Sequence, residues 1–478
     1  MKKILAFLLA IFLLLSTVSC AVSTETSSDT AGTDNSPAAT EASTEFFPAV
    51  KKKDYEGATF RMIGFNMPGE WYFAENTGES VLNDAVYEMN KLVETHLGVK
   101  LEYEQVTNVV TGGEIFSTVQ PHMMAGDDVY QLCILHPYYS YNSFITGNYA
   151  YNFYEFDELD LEQDYWNRDV MDSLAINDKA YIALGDLCEY GIYMLYCNKA
   201  LLHDVNREVP YDKVKNGEWT LDEFIGMTTE LYHDENGNGE KDNQDIYGFA
   251  GVWDANASAF MQASGIYVAS RTDEGNFELS LYGDKLEDMY GKLYDWSKNE
   301  SVYLVSFGQR ENPSIALDFL EGRSYFTLDQ LGTAFLEAEF DVGVLPLPKY
   351  DVAQENYAHV NWGNNLVVPN TIKNPDMVGD VLEMMSYYTS TVVEEAYYDT
   401  VLQYRVSNAP EDREMVQLIY NTVVYDPGIA FCDGNTALWN LVYLPCFGLL
   451  QKKESVSSYY KGNSRSAQRW LDGLFDVE

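Results

Sequence analysis

Residues 82–106 read "LNDAVYEMNKLVETHLGVKLEYEQV". Leu82, Ala85, Val86, Met89 and Val93 recur at i, i+3, i+4, i+7 and i+11, which puts them on one face of a helix. Gly98 follows the last apolar turn and suits the left-handed position that closes a helix. Past it the period drops to two. "VKLEYEQV" (Val99–Val106) alternates apolar and polar residues and reads as a strand, as does "ATFRMIGF" (Ala58–Phe65) upstream. Downstream, "EIFSTVQPHMMAG" is a broken helical stretch and "YQLCIL" (Tyr130–Leu135) a third, buried strand. Strand, helix, strand, helix, strand predicts a doubly wound sheet with right-handed crossovers. Ligands in such sheets bind beyond the carboxyl ends of the strands. The exits "GFNMPGEWYF" and "HPYYSYN", rich in aromatics and amides, are therefore the first functional pointer.

The middle of the chain adds a second α/β region. In "GEWTLDEF", Thr220 and Glu223 have the spacing of a capping box, with Phe224, Met227 and Leu231 as the apolar stripe of the helix. "GRSYFTL" and "DVGVLPLP" read as strands, and "VNWGNNLVVP" (Val360–Pro369) as a further strand-like crossing. Asn374, Pro375 and Asp376 open a long helix with Val378, Val381, Leu382 and Met385 on its stripe. From about Ser407 the tail reads as helical, and no internal repeat is visible.

The front of the chain is different in kind. Lys2 and Lys3 precede the apolar run "ILAFLLAIFLLL", which is too short to span a bilayer comfortably and reads as a signal peptide over residues 1–19. "STVSC" follows, with small residues ahead of Cys20, so cleavage before Cys20 and lipidation of its sulfur are expected. Two acyl chains on one cysteine would anchor stably. Residues 20–53 then form a Ser-, Thr- and Ala-rich tether that cannot bury enough surface to offset its ordering entropy.

The chain has 478 residues, a length that suggests two or three domains, and 46% of it is apolar, enough for a sizeable core. Its 74 acids against 30 bases give a formal charge of -44. That excess repels nucleic-acid phosphates and anionic membrane surfaces, and it confers solubility without identifying a substrate. The six cysteines show no CxxC spacing, so most are expected to be buried small hydrophobes. Whether Cys188 and Cys197 face each other closely enough to pair stays open at this level.

Several segments together resemble one family: the lipoprotein-type start, "MMAGDDVYQLCIL", "AINDKAYIALGD", "YMLYCNKALL", "GEWTLDEF", "IYGFAG", "GVLPLPKYD" and "NPDMVGDVLEMMSYYT". In that order and spacing they resemble the extracellular solute-binding lipoproteins of ABC importers, of the family 1 type that includes sugar binders. The resemblance runs from about Tyr55 to about Trp470. It implies the periplasmic-binding-protein-like type II fold: two doubly wound α/β lobes joined by a multi-crossing hinge. By position the crossings fall near Ala183–Glu189, Val360–Gly363 and Tyr404–Asn408. The N-terminal lobe is then 55–185 plus 364–404, and the C-terminal lobe 186–363 plus 405–478. The implied function is capture of a mono- or oligosaccharide by lobe closure and delivery to the transmembrane subunits of an ABC permease. The protein would be a lipid-anchored, extracytoplasmic monomer that is not an enzyme and carries no catalytic cofactor. A peptide, a polyol or another osmolyte remains open as the solute.

Sugar binders cover C–H patches with aromatic faces and take hydroxyls with amides and carboxylates. Residues expected at strand ends or crossings are Trp71, Tyr138, Tyr139, Trp253, Asn256, Asp329, Trp362 and Trp439. The resemblance supports Tyr138, Asp329 and Trp439 as ligand positions, while core packing is the alternative for each aromatic. Trp166 and Trp296 are expected to pack a lobe.

One further stretch, "DENGNGEKDNQD" (Asp234–Asp245), has the spacing of a calcium loop. Asp234, Asn236, Asn238, Glu240 (through its carbonyl), Asp242 and Asp245 fall at positions 1, 3, 5, 7, 9 and 12, with Gly239 at 6. A structural Ca²⁺ site is expected, and a Gly/Asn-rich turn with solvated acids is the alternative.

Two other function classes stand against the solute receptor. A secreted carbohydrate-active enzyme would need placed carboxylates, and among 74 acids some pair always exists. The chain has no HExxH, GxSxG or P-loop pattern, and its six histidines show no ligand spacing. A non-transport surface carbohydrate-binding protein would usually present repeated all-β modules, whereas this chain alternates helix and strand.

Overall fold

The computed structural model describes residues 47–477 except 53, 66–70, 107–113, 137–140, 189–190, 306–318, 331–337, 398–408, 435 and 443–454. The signal peptide, Cys20, the tether up to residue 46, Tyr138, Tyr139 and the third crossing at 404–408 lie outside the described residues. The chain divides into a unit ending at Ala49 and a unit spanning Val50–Glu478, and all that follows concerns the second.

The first sheet begins with β1 (Ala58–Phe65), β2 (Val99–Val106) and β3 (Leu132–Leu135), all parallel. Helix α1 (Val81–Leu97) joins β1 to β2 and buries Ala85, Val86, Met89 and Val93 of the predicted stripe, with Leu82 half-buried. Ser80 caps its start, and Gly98 ends it with φ +60, where a Cβ would also run into Asp54. Helix α2 (Glu114–Ala125) is continuous and not broken as expected. Pro121 inside it forfeits one N–H, but burial of Ile115, Val119 and Met123 along one face holds the helix.

Strands β4 (Tyr193–Asn198), β5 (Tyr247–Val252), β8 (Val302–Val305), β9 (Ser324–Gln330) and β10 (Val342–Leu345) make the second sheet, in the order β10-β4-β9-β5-β8. Here β5 runs parallel to β8 and β9, while β4 is antiparallel to β9 and β10. Between them β6 (Ala269–Arg271) and β7 (Phe277–Leu279) form a small antiparallel pair. The segment read as one crossing strand, Val360–Pro369, contains parts of two. It holds the end of β11 (His359–Val360) and the whole of β12 (Asn365–Val367). β11 pairs with β13 (Val423–Val424), and β12 returns antiparallel to β3, completing the first sheet as β12-β3-β1-β2.

Helix α3 (Leu221–Thr228) carries only half of the predicted capping box. The Thr220 hydroxyl accepts from the Glu223 N–H at 3.4 Å, but the Glu223 carboxylate pairs with Lys213 instead. Helices α4 (Trp253–Ala263) and α5 (Asp284–Ser297) follow. Phe224, Phe249, Phe260 and Trp296 pack into one aromatic core with ring centroids about 5–6 Å apart. Helix α6 (Pro375–Tyr388) is capped by Asn374, which accepts from the Met377 N–H at 3.3 Å. It is buried on nearly every face, including two acids. Asp380 accepts from the Tyr55 hydroxyl at 2.6 Å and from the backbone of Lys51 and Lys52. Glu383 accepts from the Tyr165 hydroxyl and, at 2.9 Å, from the Trp166 indole. Those donors make the burial of the carboxylates tolerable.

Cys133, Cys188, Cys197 and Cys432 are buried, and Cys188 and Cys197 do not pair. Burial pushes both of their thiols up to about 12.

Replacing Asn374 by Ala removes one helix cap and is expected to cost about 1 kcal/mol in urea unfolding. Glu383→Ala leaves the Tyr165 and Trp166 donors buried without an acceptor and is expected to cost about 3 kcal/mol or more in the same assay.

Candidate functional site

The chain leaves the first sheet after β3 and returns to it at β12. These two passages run side by side and antiparallel, bridged at Ala183–Leu366 and at Ile192–Asn361. Backbone bonds tie them: Ala183 N to Leu366 O at 3.1 Å and Trp362 N to Gly191 O at 3.1 Å. The Asn361 carbonyl oxygen accepts from Gly191 N at 2.9 Å and Gly363 N at 2.8 Å, while its NH₂ donates to the Tyr425 hydroxyl at 3.3 Å. Gly191 is required by the close approach, since a Cβ there would lie 2.7 Å from the Trp362 carbonyl carbon. The space among Val360, Asn361, Asn365, Tyr425 and Asp426 is only about 10 Å³, room for roughly one water.

Register then decides what faces these passages. Asn365, at the start of β12, is paired with Leu135, the last residue of β3. Tyr193, at the start of β4, is paired with Gln330, the last residue of β9. The carboxyl ends of the parallel strands in both sheets therefore abut the same pair of passages. Where one open α/β sheet offers a ligand crevice at that end, this protein sets two such ends against one junction.

Aromatic and acidic side chains gather there. The Trp71 indole donates to the Asp186 carbonyl at 3.3 Å, and its ring meets Tyr397 edge-on at 5.2 Å. Trp362 stacks on His136 at 6.1 Å and meets Trp439 edge-on at 6.3 Å. Burial lowers His136 to about 4, so its ring is neutral at pH 7. Burial raises the Asp186 carboxyl, although the Ser390 hydroxyl opposes the shift. Burial and the neighbouring Asp186 charge raise Glu394. The group offers aromatic faces, neutral hydrogen-bonding groups and a pair of weakly acidic carboxyls, a set suited to polar, uncharged solutes.

Of the predicted site residues, Trp71, Trp362 and Trp439 lie in this aromatic group. Asn256 and Asp329 are at the carboxyl end of the second sheet: Asn256 donates to Leu328 O at 3.1 Å and Asp329 sits in β9. Trp253 has no exposed surface and packs 6.3 Å from Trp296 in the core. Sequence reasoning missed Asp186, Asn361, Glu394 and Tyr425. Asp186 and Asn361 lie inside segments already expected to cross between lobes, but their partners follow from register alone.

A larger hollow of about 520 Å³ lies elsewhere, bordered by Asp284, Asp288, Tyr350 and Gln354. Lys285 and Lys292 lie over the Tyr350 ring, at 4.9 and 5.2 Å, so that ring already has two cations as partners. Among the described residues no three His, Cys, Asp or Glu side chains converge to hold a metal, and no helix is long and apolar enough to cross a membrane.

No sequence-family profile and no curated protein matches the chain. Solved structures do. The substrate-binding protein Lmo0181 of an ABC system from Listeria monocytogenes, in complex with cycloalternan, superposes with a TM-score of 0.58 at 14% identity, over 87% of this chain and 99% of its own. The GacH receptor of Streptomyces glaucescens, solved unliganded and with acarbose, gives 0.58 at 16% identity over 87% and 99%. UgpB from Mycobacterium tuberculosis, with glycerophosphocholine, gives 0.59 at 13% over 87% and 98%. The protein thus has the two-lobe type II fold of periplasmic-binding proteins, the architecture of ABC solute-binding proteins.

Asn361→Ala strips the acceptor from two buried N–H groups and is expected to cost about 2–4 kcal/mol. Asn361→Asp, which keeps the acceptor, should recover part of that loss in the same urea titration.

His359 provides a pH test. Its Nε2 accepts from Leu347 N at 3.1 Å, so the ring proton is on Nδ1, facing the Thr422 hydroxyl at 2.9 Å. Burial lowers this histidine to about 3. The unfolded chain takes up its proton below about pH 6.5 while the folded chain does not, so the contribution is complete above 6.5 and is lost as pH falls from there toward 3. The stability gap between wild type and His359→Gln is expected to shrink by about 1.4 kcal/mol for each pH unit below 6.5.

Proposed function

We propose that this chain is the extracytoplasmic receptor of an ABC importer and that it encloses a mono- or oligosaccharide between two lobes. The observation that carries this reading is the shared junction: strand ends from both sheets and the Trp71 and Trp362 aromatic groups meet at one pair of crossings. A ligand that touches both lobes adds contacts available only on closure, and that difference shifts the population toward the closed form. The lobes are residues 55–185 plus 364–404 and 186–363 plus 405–478. Structures sharing the fold lend support, since they hold cycloalternan, acarbose and, in MalE from Bdellovibrio bacteriovorus, maltotriose. Those holding ribitol and glycerophosphocholine keep polyols and polar headgroup fragments in the test panel.

In this reading Cys20 carries the lipid, residues 20–53 are the leash, and the loaded monomer docks on the two transmembrane permease subunits. The protein binds without turnover.

The test is a thermal-shift panel of mono- and oligosaccharides, polyols and small peptides on the mature chain. A cognate sugar at about 100 times its Kd is expected to add about 2.7 kcal/mol of stability. It should also reduce the radius of gyration in solution scattering and leave the solute chemically intact. Trp362→Ala should lose most of that stabilisation. Absence of any stabilising solute, product formation, or an unchanged radius at saturation would each count against the proposal.

A further inference from the structure

The loop between α3 and β5 has no part in the junction described above, yet its chemistry is specific. His233 and Ile246 exchange two backbone hydrogen bonds of 3.0 Å and close its base. Between them lie the twelve residues Asp234–Asp245. Inside the loop, backbone N–H groups turn toward the side chains. Asp234 accepts from Gly237 N at 2.7 Å and Gly239 N at 2.8 Å, which folds positions 4 and 6 around the carboxylate of position 1. The Asn236 and Asn238 carbonyls accept from Asn238 N and Glu240 N. Their NH₂ groups donate to Asp242, at 3.1 Å and 2.8 Å, supplying the positive partner that a cation would otherwise supply.

These bonds alone describe only a polar turn. The separate observation is Asp245, which has no exposed surface. Its carboxylate is turned back into the loop, where Oδ2 accepts from Asp242 N at 3.2 Å and from the Tyr232 hydroxyl at 2.9 Å. Its Oδ1 is enclosed and accepts no hydrogen bond. Lys241, the nearest cation in sequence, holds its ammonium over the Tyr232 and Tyr247 rings at 5.9 and 5.7 Å, where it feels the Asp245 charge without donating to Oδ1. An anionic oxygen without a donor in a solvent-free position costs several kcal/mol unless a cation compensates it.

We infer that this loop is a structural Ca²⁺ site. The ligands are the carboxylates of Asp234, Asp242 and Asp245, the amide oxygens of Asn236 and Asn238, and the Glu240 carbonyl. The arrangement is all oxygen, mixes charged and neutral donors, and offers up to six protein ligands, which suits calcium; magnesium demands tighter octahedral geometry and retains its water. In the arrangement described, the three carboxylates do not converge. Binding therefore exchanges the Asn–Asp242 hydrogen bonds for ligation, and loop order depends on the ion. With two neutral Asn ligands and Asp in place of Glu at position 12, affinity falls in the range of extracellular modules, about 10⁻⁴–10⁻³ M. The inference does not rest on the solute reading, because the loop joins α3 to β5 within the second-sheet region and shares no residue with the junction.

The experiment uses the mature chain stripped with chelator. Its melting temperature is compared in about 5 mM calcium chloride, about 5 mM magnesium chloride and sodium chloride of matched ionic strength, a concentration above the expected dissociation constant. Calcium should raise the midpoint by about 3 °C or more and titrate at one ion per chain by calorimetry, and magnesium should not. Asp245→Asn and Asp234→Asn should each abolish the calcium shift while solute stabilisation, measured separately, persists. If Asp245→Asn does not fold, Asp234→Asn decides by the same readout, since its carboxylate is only half-buried. A missing calcium shift, an equal shift with magnesium, or a shift that survives in either folded variant would overturn the inference.

Discussion

One amide pins the crossing passages of this molecule together. Asn361 accepts from the backbone of one passage at Gly191 and from its own passage at Gly363, and it donates to Tyr425 in the C-terminal region. The two main sheets share no strand, and this knot with the adjoining bridges at Ala183–Leu366 and Ile192–Asn361 fixes the register of the two passages that run between them. A slip of one residue at Asn361 would separate Asn365 from Leu135 and turn the aromatic side chains of the passage to the other face. The stacking of Trp362 on His136 depends on the same constraint.

Elsewhere the body is held by acids used as buried acceptors, which is economical in a chain with so many. Asp426 is enclosed and accepts from Val268 N, Ala269 N, Gly428 N and the Gln262 amide. Asp412 accepts from Val344 N at 2.9 Å and pairs with Lys199 at 2.6 Å. Each joins segments far apart in sequence. An ionised carboxylate is costly to desolvate, and several donors offset that cost only when every segment is correctly placed. These sites therefore penalise alternative packings more than they add stability.

The local grammar of the chain was open to reading because it depends on neighbours in sequence. β1 and β2 occupy the residues read as strands, β2 by its alternation, and Gly98 and Asn374 cap the helices their types suggested. Failures came where a distant group competes. Glu223 leaves its capping box for Lys213, and Pro121 is tolerated because one face of the helix around it is buried. "VNWGNNLVVP" looked like one crossing strand, since periodicity cannot tell which sheet each end joins. The aromatic candidates divided for the same reason. Nothing local separates Trp362, at the junction, from Trp253, packed beside Trp296 in the core. Asn361 carries no pattern of its own, and its importance is wholly a matter of who lies opposite.

The sealed cysteines bear on how the protein matures. Cys133, Cys188, Cys197 and Cys432 are all buried thiols, and burial suppresses the thiolate through which oxidants and disulfides react. Cys133, Cys188 and Cys197 form no covalent cross-link with one another, so their packing does not depend on disulfide chemistry.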